Sequence, residues 1–364
     1  MKLDNILLIF CSVLLFSCEN VPIKQSKLFS EKDLPEEQLL SGEKYVLEEI
    51  LNPRKILFKE GFLIIAESVS SKTESVITVI DSNTLDFVSH KGKIGFGPGE
   101  LGIGYPLMDG LEKGFFWVYD TQQFNFSKFA LQDSSQLAVE QLKALDVPFF
   151  ATKATWLSEN SFLVEMVDGW KKYYEVSTEK DTLKSLGDWR EMFKLVELPV
   201  GIKEEDIAPN VAASIFSGEL TGNPSKTKFV KAGIHTDFID IIDWENQQIL
   251  TLRGPVNESP KFSISESMGY DMASFDIRTL TNKYLDVYAG EASFFVLYSG
   301  KSFRQISESS NLNRIFEFDY KGNLLNNFRL DYPLYAFSMD EQKRKIFGIT
   351  ADEDPGIVVF ELGL

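Results

Sequence analysis

Histidine and cysteine, the side chains most often recruited for proton transfer, metal binding and nucleophilic attack, are nearly missing here. The 364 residues hold His90 and His235, Cys11 and Cys18, and no others of either type. A His-rich metal centre needs more ligands than that. A Ser-His-Asp triad needs only one histidine, and its partners meet in space, so spacing leaves it open. The Gly-x-Ser-x-Gly elbow that often presents such a serine does not occur. His90 ends a strand-like run beside Lys91, and His235 falls in a turn between two runs; both positions suit surface or capping roles. Asp and Glu total 54, so many that some pair could always lie at a glycosidase separation, which makes abundance uninformative. Asp352-Glu353-Asp354-Pro355-Gly356 is acidic but lacks the spaced oxygen ligands of a calcium loop. It reads as a solvated hairpin turn. The sialidase box Ser-x-Asp-x-Gly-x-x-Trp is absent.

Phosphate chemistry fares no better. Residues 92–101 read Gly-Lys-Ile-Gly-Phe-Gly-Pro-Gly-Glu-Leu. A dinucleotide fingerprint needs a helix after the glycines, and Gly102, Gly104 and Pro106 break one. A P-loop needs Gly-Lys-Ser/Thr, which is missing. A backbone anion nest is an unspecific alternative. Pro98 and Gly99 suit the two central positions of a type II turn, as a tight crossing between two elements would use. Aromatics cluster at 115–119, at Phe149, Phe150 and Trp156, and at Trp170, Tyr173 and Tyr174. Such clusters serve packing more often than sugar stacking. Trp170 follows Asp168-Gly169 and is the one placed to be presented by a turn. These readings assign no catalytic residue, no metal ligand and no cofactor. They leave any binding residue unknown.

The N-terminus is more specific. Lys2 precedes an apolar run over 6–16, too short to span a bilayer as a mature helix. It ends in Leu15-Phe16-Ser17-Cys18, which resembles a bacterial lipobox. That implies a signal peptide over 1–17 and lipid attachment at Cys18. Cys11 would leave with the peptide, so the mature chain would form no internal disulfide. Residues 18–43, polar, with Pro22, Pro35 and two acidic runs, read as a tether. The net charge of −17 argues against a nucleic-acid partner, which would need clustered Lys and Arg. It also repels anionic headgroups, so the membrane would be a partner through the lipid alone.

The elements behind these residues are strands. After residue 44 the chain offers short β-rich runs broken by Gly, Asn, Asp and Lys, as at 62–68, 76–81, 115–120, 162–167, 238–243, 294–299, 315–319 and 357–362. The best helical stretch, 191–207, is interrupted by Pro199 and Gly201. A weak repeat places an Asp after an apolar strand and before a polar turn, at Asp81, Asp243 and Asp319. A turn-starting Asp explains this better than a metal series, because no ligand cluster follows. Four-stranded units of about 50 residues around an axis make a β-propeller. The span 44–364 holds six, near 53–91, 105–145, 150–187, 210–253, 283–330 and 333–362. The last shows three strands, and 44–51 is left over, so it is expected to pair as the missing fourth and close the ring. Two insertions, 188–209 and 254–282, interrupt the pattern.

With those residues in place, the chain resembles the TolB-like six-bladed β-propeller lipoproteins of Bacteroidota. The resemblance is carried by the run at 92–101, by Val296-Leu297-Tyr298-Ser299-Gly300-Lys301, by 315–323, and by Leu330-Asp331-Tyr332 leading to Phe337-Ser338-Met339-Asp340-Glu341. It implies a propeller on a lipid anchor in the cell envelope, facing the periplasm or the cell surface. It implies no catalytic residues. The expected function is therefore a non-catalytic binding or protein-interaction scaffold, with an envelope protein or glycan as partner. The alternative is a hydrolase or lyase acting on glycans or peptides in the central funnel. Two or three carboxylates or histidines converging there would mark it.

Overall fold

The computed structural model describes residues 25–69, 74–102, 106–143, 151–179, 182–267, 269–306, 313–352 and 354–363, and the statements below concern these. The signal peptide 1–17, Cys18 and Phe149-Phe150 lie outside them.

Three strands come first: β1 (Gln25–Leu28), β2 (Glu37–Leu40) and β3 (Gly42–Tyr45). Blade one is β4 (Pro53–Lys59), β5 (Phe62–Glu67), β6 (Ser75–Asp81) and β7 (Phe87–Lys93). Blade two is β8 (Leu107–Met108), β9 (Phe115–Asp120), β10 (Asn125–Ala130) and β11 (Glu140–Lys143). Blade three is β12 (Ala151–Ser158), β13 (Ser161–Met166), β14 (Tyr173–Ser177) and β15 (Thr182–Leu186). Blade four is β16 (Gly218–Gly222), β17 (Lys228–Gly233), β18 (Phe238–Asp243) and β19 (Gln248–Arg253). A separate hairpin, β20 (Phe262–Ser267) and β21 (Tyr270–Phe275), follows. Blade five is β22 (Thr281–Ala289), β23 (Ser293–Ser302), β24 (Arg314–Asp319) and β25 (Leu324–Leu330). Blade six is β26 (Leu334–Asp340), β27 (Lys345–Thr350) and β28 (Ile357–Glu361), completed by β3. The first strands of the blades touch in turn, β4 to β8, β12, β16, β22, β26 and back to β4, so they line the axis of a closed six-bladed ring.

The middle strands are buried on both faces. Leu63, Ile64, Ile65 and Ala66 of β5 are all buried, and so are Val76 to Ile80 of β6. Each blade packs against a neighbour on either side, so its middle strands read as unbroken apolar runs. The outer strands are more exposed, as in β15, where only Leu186 is buried. Asp81, Asp243 and Asp319 start turns as expected: each carboxylate accepts backbone N–H bonds, for example from Asn83 at 2.8 Å and Lys321 at 2.9 Å. These N–H groups, from Asn83 and Thr84, hold the Asp81 carboxyl below its usual range.

The ring closes through an N-terminal strand, but that strand is Gly42–Tyr45 rather than 44–51. It pairs antiparallel with β28, Gly42 facing Phe360 and Tyr45 facing Ile357. The reading of 18–43 as a free tether fails for 25–43. β1 lies parallel to β19 as a fifth strand of blade four, and β2 lies parallel to β25 as a fifth strand of blade five. The first residues thus form a strap around three consecutive blades. Phe29 packs edge-on against Phe316 and Phe318, with centroids 6.5 and 5.5 Å apart. The Arg314 guanidinium donates to both oxygens of Glu31, at 2.8 and 2.6 Å. Ser41 Oγ and Gly42 N donate to Asp331 at 2.7 and 3.0 Å.

The two insertions meet. The first forms short 3-10 turns at Trp189–Leu195 and Glu204–Asp206 and the helix α1 (Pro209–Ile215), in place of one helix over 191–207. The second carries the β20–β21 hairpin. Trp189, Phe193, Val211 and Phe216 bury themselves with Phe262 and Phe275 of that hairpin beside blade four. Both insertions link an outer strand to the next inner strand, so both lie on one face of the ring, the crossing face. The turns after the inner strands lie on the opposite, hairpin face.

Candidate functional site

The axis encloses a cavity of about 200 Å³, lined from all six inner strands or the residues flanking them. Four cationic side chains, Arg54, Lys55, Lys153 and Lys226, and three anionic ones, Asp109, Glu219 and Asp286, line it. The backbone explains how charged residues come to point inward from apolar strands. Register shifts interrupt β4 between Pro53 and Lys55, β12 between Ala151 and Lys153, and β22 between Tyr284 and Asp286. A β-bulge inserts an extra residue and re-aims the side chain that follows it. Lys55, Lys153 and Asp286 are each that residue.

Towards the crossing face these groups form a closed knot. Lys55 Nζ donates to Glu219 Oε2 at 2.9 Å and to Asp286 Oδ1. Lys153 Nζ donates to Glu219 Oε1 at 2.6 Å. Asp286 also accepts Val287 N at 2.8 Å and Phe337 N at 3.0 Å. Five blades are therefore tied by one network. Burial pushes the Glu219 carboxyl up, but Lys153 and Lys55 overcome it and hold the group at about 2. Asp286 is only 1% exposed; burial dominates there and leaves its carboxyl raised despite Lys55. Burial pulls the Lys55 ammonium down, and the attraction of Asp286 and Glu219 outweighs it, so the ammonium ends raised.

Towards the hairpin face the pairing is incomplete. Lys59 Nζ donates to Asp109 Oδ1 at 2.6 Å and to the Gly110 carbonyl at 2.5 Å. Lys226 Nζ lies 3.9 Å from Asp109 Oδ2, and its side chain is 6% exposed. Burial pulls its ammonium down, offset in part by Asp109. Lys226 stands in the β16–β17 turn at φ +55°, a left-handed conformation unusual for lysine. Asn223 locks that turn: its Oδ1 accepts Thr227 N at 2.9 Å and Lys228 N at 3.0 Å.

The residues singled out in the sequence lie elsewhere. His90 is on outer strand β7, next to Phe87, with Thr78 Oγ1 3.3 Å from its Nδ1. His235 is in the β17–β18 turn, and burial lowers its pKa. The structure does not bring the two together. The run at 92–101 is a blade-to-blade crossing. Glu100 N donates to the Gly97 carbonyl at 3.1 Å and Gly99 has φ +79°, so Pro98-Gly99 is the type II turn expected. The Gly97 N–H that could cradle an anion already donates to Glu100 Oε2 at 2.9 Å. A Cβ on Gly95 would stand 2.0 Å from that same oxygen, so the glycine makes room for it. Asp352 pairs with Lys44 of the closing strand at 2.7 Å. Trp170 lies beneath the Arg190 guanidinium, 4.4 Å from its ring, and against Phe193. It helps seat the insertion. Nothing in the sequence reading pointed to the channel groups. Lys55 and Lys59 share one strand face at a separation of four, and that was the available signal.

A family model described as TolB-like 6-blade propeller-like matches residues 29–342. No curated protein matches the chain. Among solved structures, a Bacteroides fragilis protein described as exported superposes with a TM-score of 0.51 at 14% identity, over 93% of this chain and 98% of its own. A duf4221-family protein from Bacteroides vulgatus gives 0.53 at 10% identity, over 88% and 96%. The RRP9 WD40 repeats give 0.52 at 8% identity, over 90% and 99%. At these identities the likeness is one of fold.

Proposed function

The chain belongs to the TolB-like six-bladed propeller family, and from that premise we propose that it is a lipid-anchored protein of the cell envelope whose ring is a non-catalytic binding scaffold. The commitment of the two carboxylates at the crossing end, Glu219 and Asp286, carries the scaffold reading. Glu219 gives one oxygen to Lys55 and one to Lys153; Asp286 accepts from Lys55 and two backbone N–H groups. Neither is free to take a proton from a substrate, as a general base must. A cavity of about 200 Å³ also falls below the roughly 300 Å³ at which drug-sized ligand sites begin. A partner such as an envelope protein or glycan would meet the loops of the ring, above all the paired insertions.

The anchor reading rests on the lipobox and is sharpened by the strap. β1 begins at Gln25, seven residues beyond Cys18. An extended chain of that length reaches about 25 Å, so the ring would ride close to the bilayer rather than on a long leash. The exported relative supports an envelope location.

Photo-cross-linkers at Val200 and Ile277, both exposed on the insertions, test the scaffold in the native cells. The expected result is the same envelope partner captured from both sites, and captured equally by Glu219→Gln. No capture from either site would count against it. Cys18→Ala should move the protein out of the membrane fraction; continued retention would refute the anchor.

The enzyme reading draws on one observation: Glu219 and Asp286 meet at a single lysine with their pKa values driven in opposite directions, a pattern seen in acid–base pairs. Turnover of envelope glycans or peptides that disappears in Glu219→Gln would establish it.

A further inference from the structure

The hairpin end of the channel holds a cation with too little to bind. Lys226 lines the cavity with its side chain 94% buried, and the only carboxylate paired with it among the described residues is Asp109, at 3.9 Å. It makes no hydrogen bond to the described residues through Nζ, whereas Lys59, beside it, is held by Asp109 and Gly110. Two buried ammonium groups thus share one carboxylate, and that carboxylate is 40% exposed. The fold leaves the Lys226 Nζ facing the channel, with its donors unmatched by any acceptor among the described residues. It also places a lysine at positive φ, where Gly or Asn would sit more easily, in a turn that Asn223 fixes. The aliphatic stem passes over Gly222, where an added Cβ would stand 3.5 Å from Lys226 Cδ. The channel lining carries Asp109 and Thr221 as well as Leu107 and Met108. All this lies in a chain of net charge −17.

We infer that Lys226, with Lys59 behind it, forms a site for a small oxyanion, a phosphate or a carboxylate, that enters the channel from the hairpin face. Lys226 supplies the free hydrogen-bond donors, and the charge of Lys59 strengthens the attraction. The lowered proton affinity of Lys226 would be restored by the bound anion. The inference rests on reading the channel as a binding site rather than a catalytic one, and the assay reads binding without turnover.

The test is calorimetric titration of inorganic phosphate, and separately of acetate, into the full-length lipidated protein in detergent, with sodium chloride at matched ionic strength as reference. Saturable binding of either anion is expected, weakened by about tenfold or more in Lys226→Met. Phosphate alone would assign a phosphate site, and acetate alone a carboxylate site. Should Lys226→Met fold poorly, Asp109→Asn gives the opposite sign: removing the competing carboxylate should tighten binding. No saturable heat from either anion, unchanged affinity in Lys226→Met, or no tightening in Asp109→Asn would overturn the proposal. Partner capture at the insertions would persist through any of these results, so failure of this site is distinguishable from failure of the scaffold.

Discussion

The two ends of the channel use the same residue types to opposite effect. At the crossing end Lys55 and Lys153 meet Glu219 and Asp286, and all four are paired. At the hairpin end two lysines meet one carboxylate, and that one is half in water. The first arrangement braces the ring; the second leaves capacity unused. A buried charge pair is not by itself a source of stability, because desolvation offsets the attraction, but removing one partner strands the other. The ends should therefore respond very differently to the loss of a carboxylate.

Asp286→Ala should have the largest effect, lowering unfolding stability by about 3 kcal/mol, since it leaves the Phe337 N–H without its acceptor and Lys55 with Glu219 alone. Denaturant midpoints at constant slope would measure it. Glu219→Gln should cost about 1–3 kcal/mol, the range for hydrogen bonds to charged groups. It should also change the acid limb. The Glu219 carboxyl is held at about 2, against 4.5 when free. Its contribution is complete above about 4.5 and is lost as pH falls towards about 2, so the variant should lack that part of the acid transition. Asp286, raised by burial, works in the opposite sense and softens the wild-type limb. Asp109→Asn should cost about 1 kcal/mol or less, because its carboxylate is well exposed. Equal losses in Asp286→Ala and Asp109→Asn would abolish the distinction between the two ends. Lys226→Met should leave the melting temperature unchanged or slightly raised.

The ring was legible in the sequence because propeller strands are short, apolar and separated by turn residues with a mechanism, such as Asp81 and Pro98-Gly99. The closing N-terminal strand was legible from counting strands. The channel was not. A β-bulge is a property of two paired strands, and nothing local to Lys55, Lys153 or Asp286 announces one. The strap was hidden for a different reason. Ser26 to Leu28 and Glu37 to Leu39 show most of their side chains to solvent, so their composition is that of a tether. Their backbone bonds to β19 and β25 hold them, with Phe29 and Leu40 as the apolar exceptions. Edge strands of this kind are invisible to any reading that looks for buried side chains.

The strap also sets an order of events. Lys27 donates to the carbonyl of Lys321, 294 positions away, and Lys44 pairs with Asp352, 308 positions away. The segment before blade one thus has its partners in blades four to six. Pairings of such sequence separation form slowly, because a long loop must close before any contact rewards it. Until blade six exists, blades four and five lack their fifth strands and β28 lacks its neighbour. A chain that lacks blade six therefore has no route to the finished ring, and closure becomes a single late step.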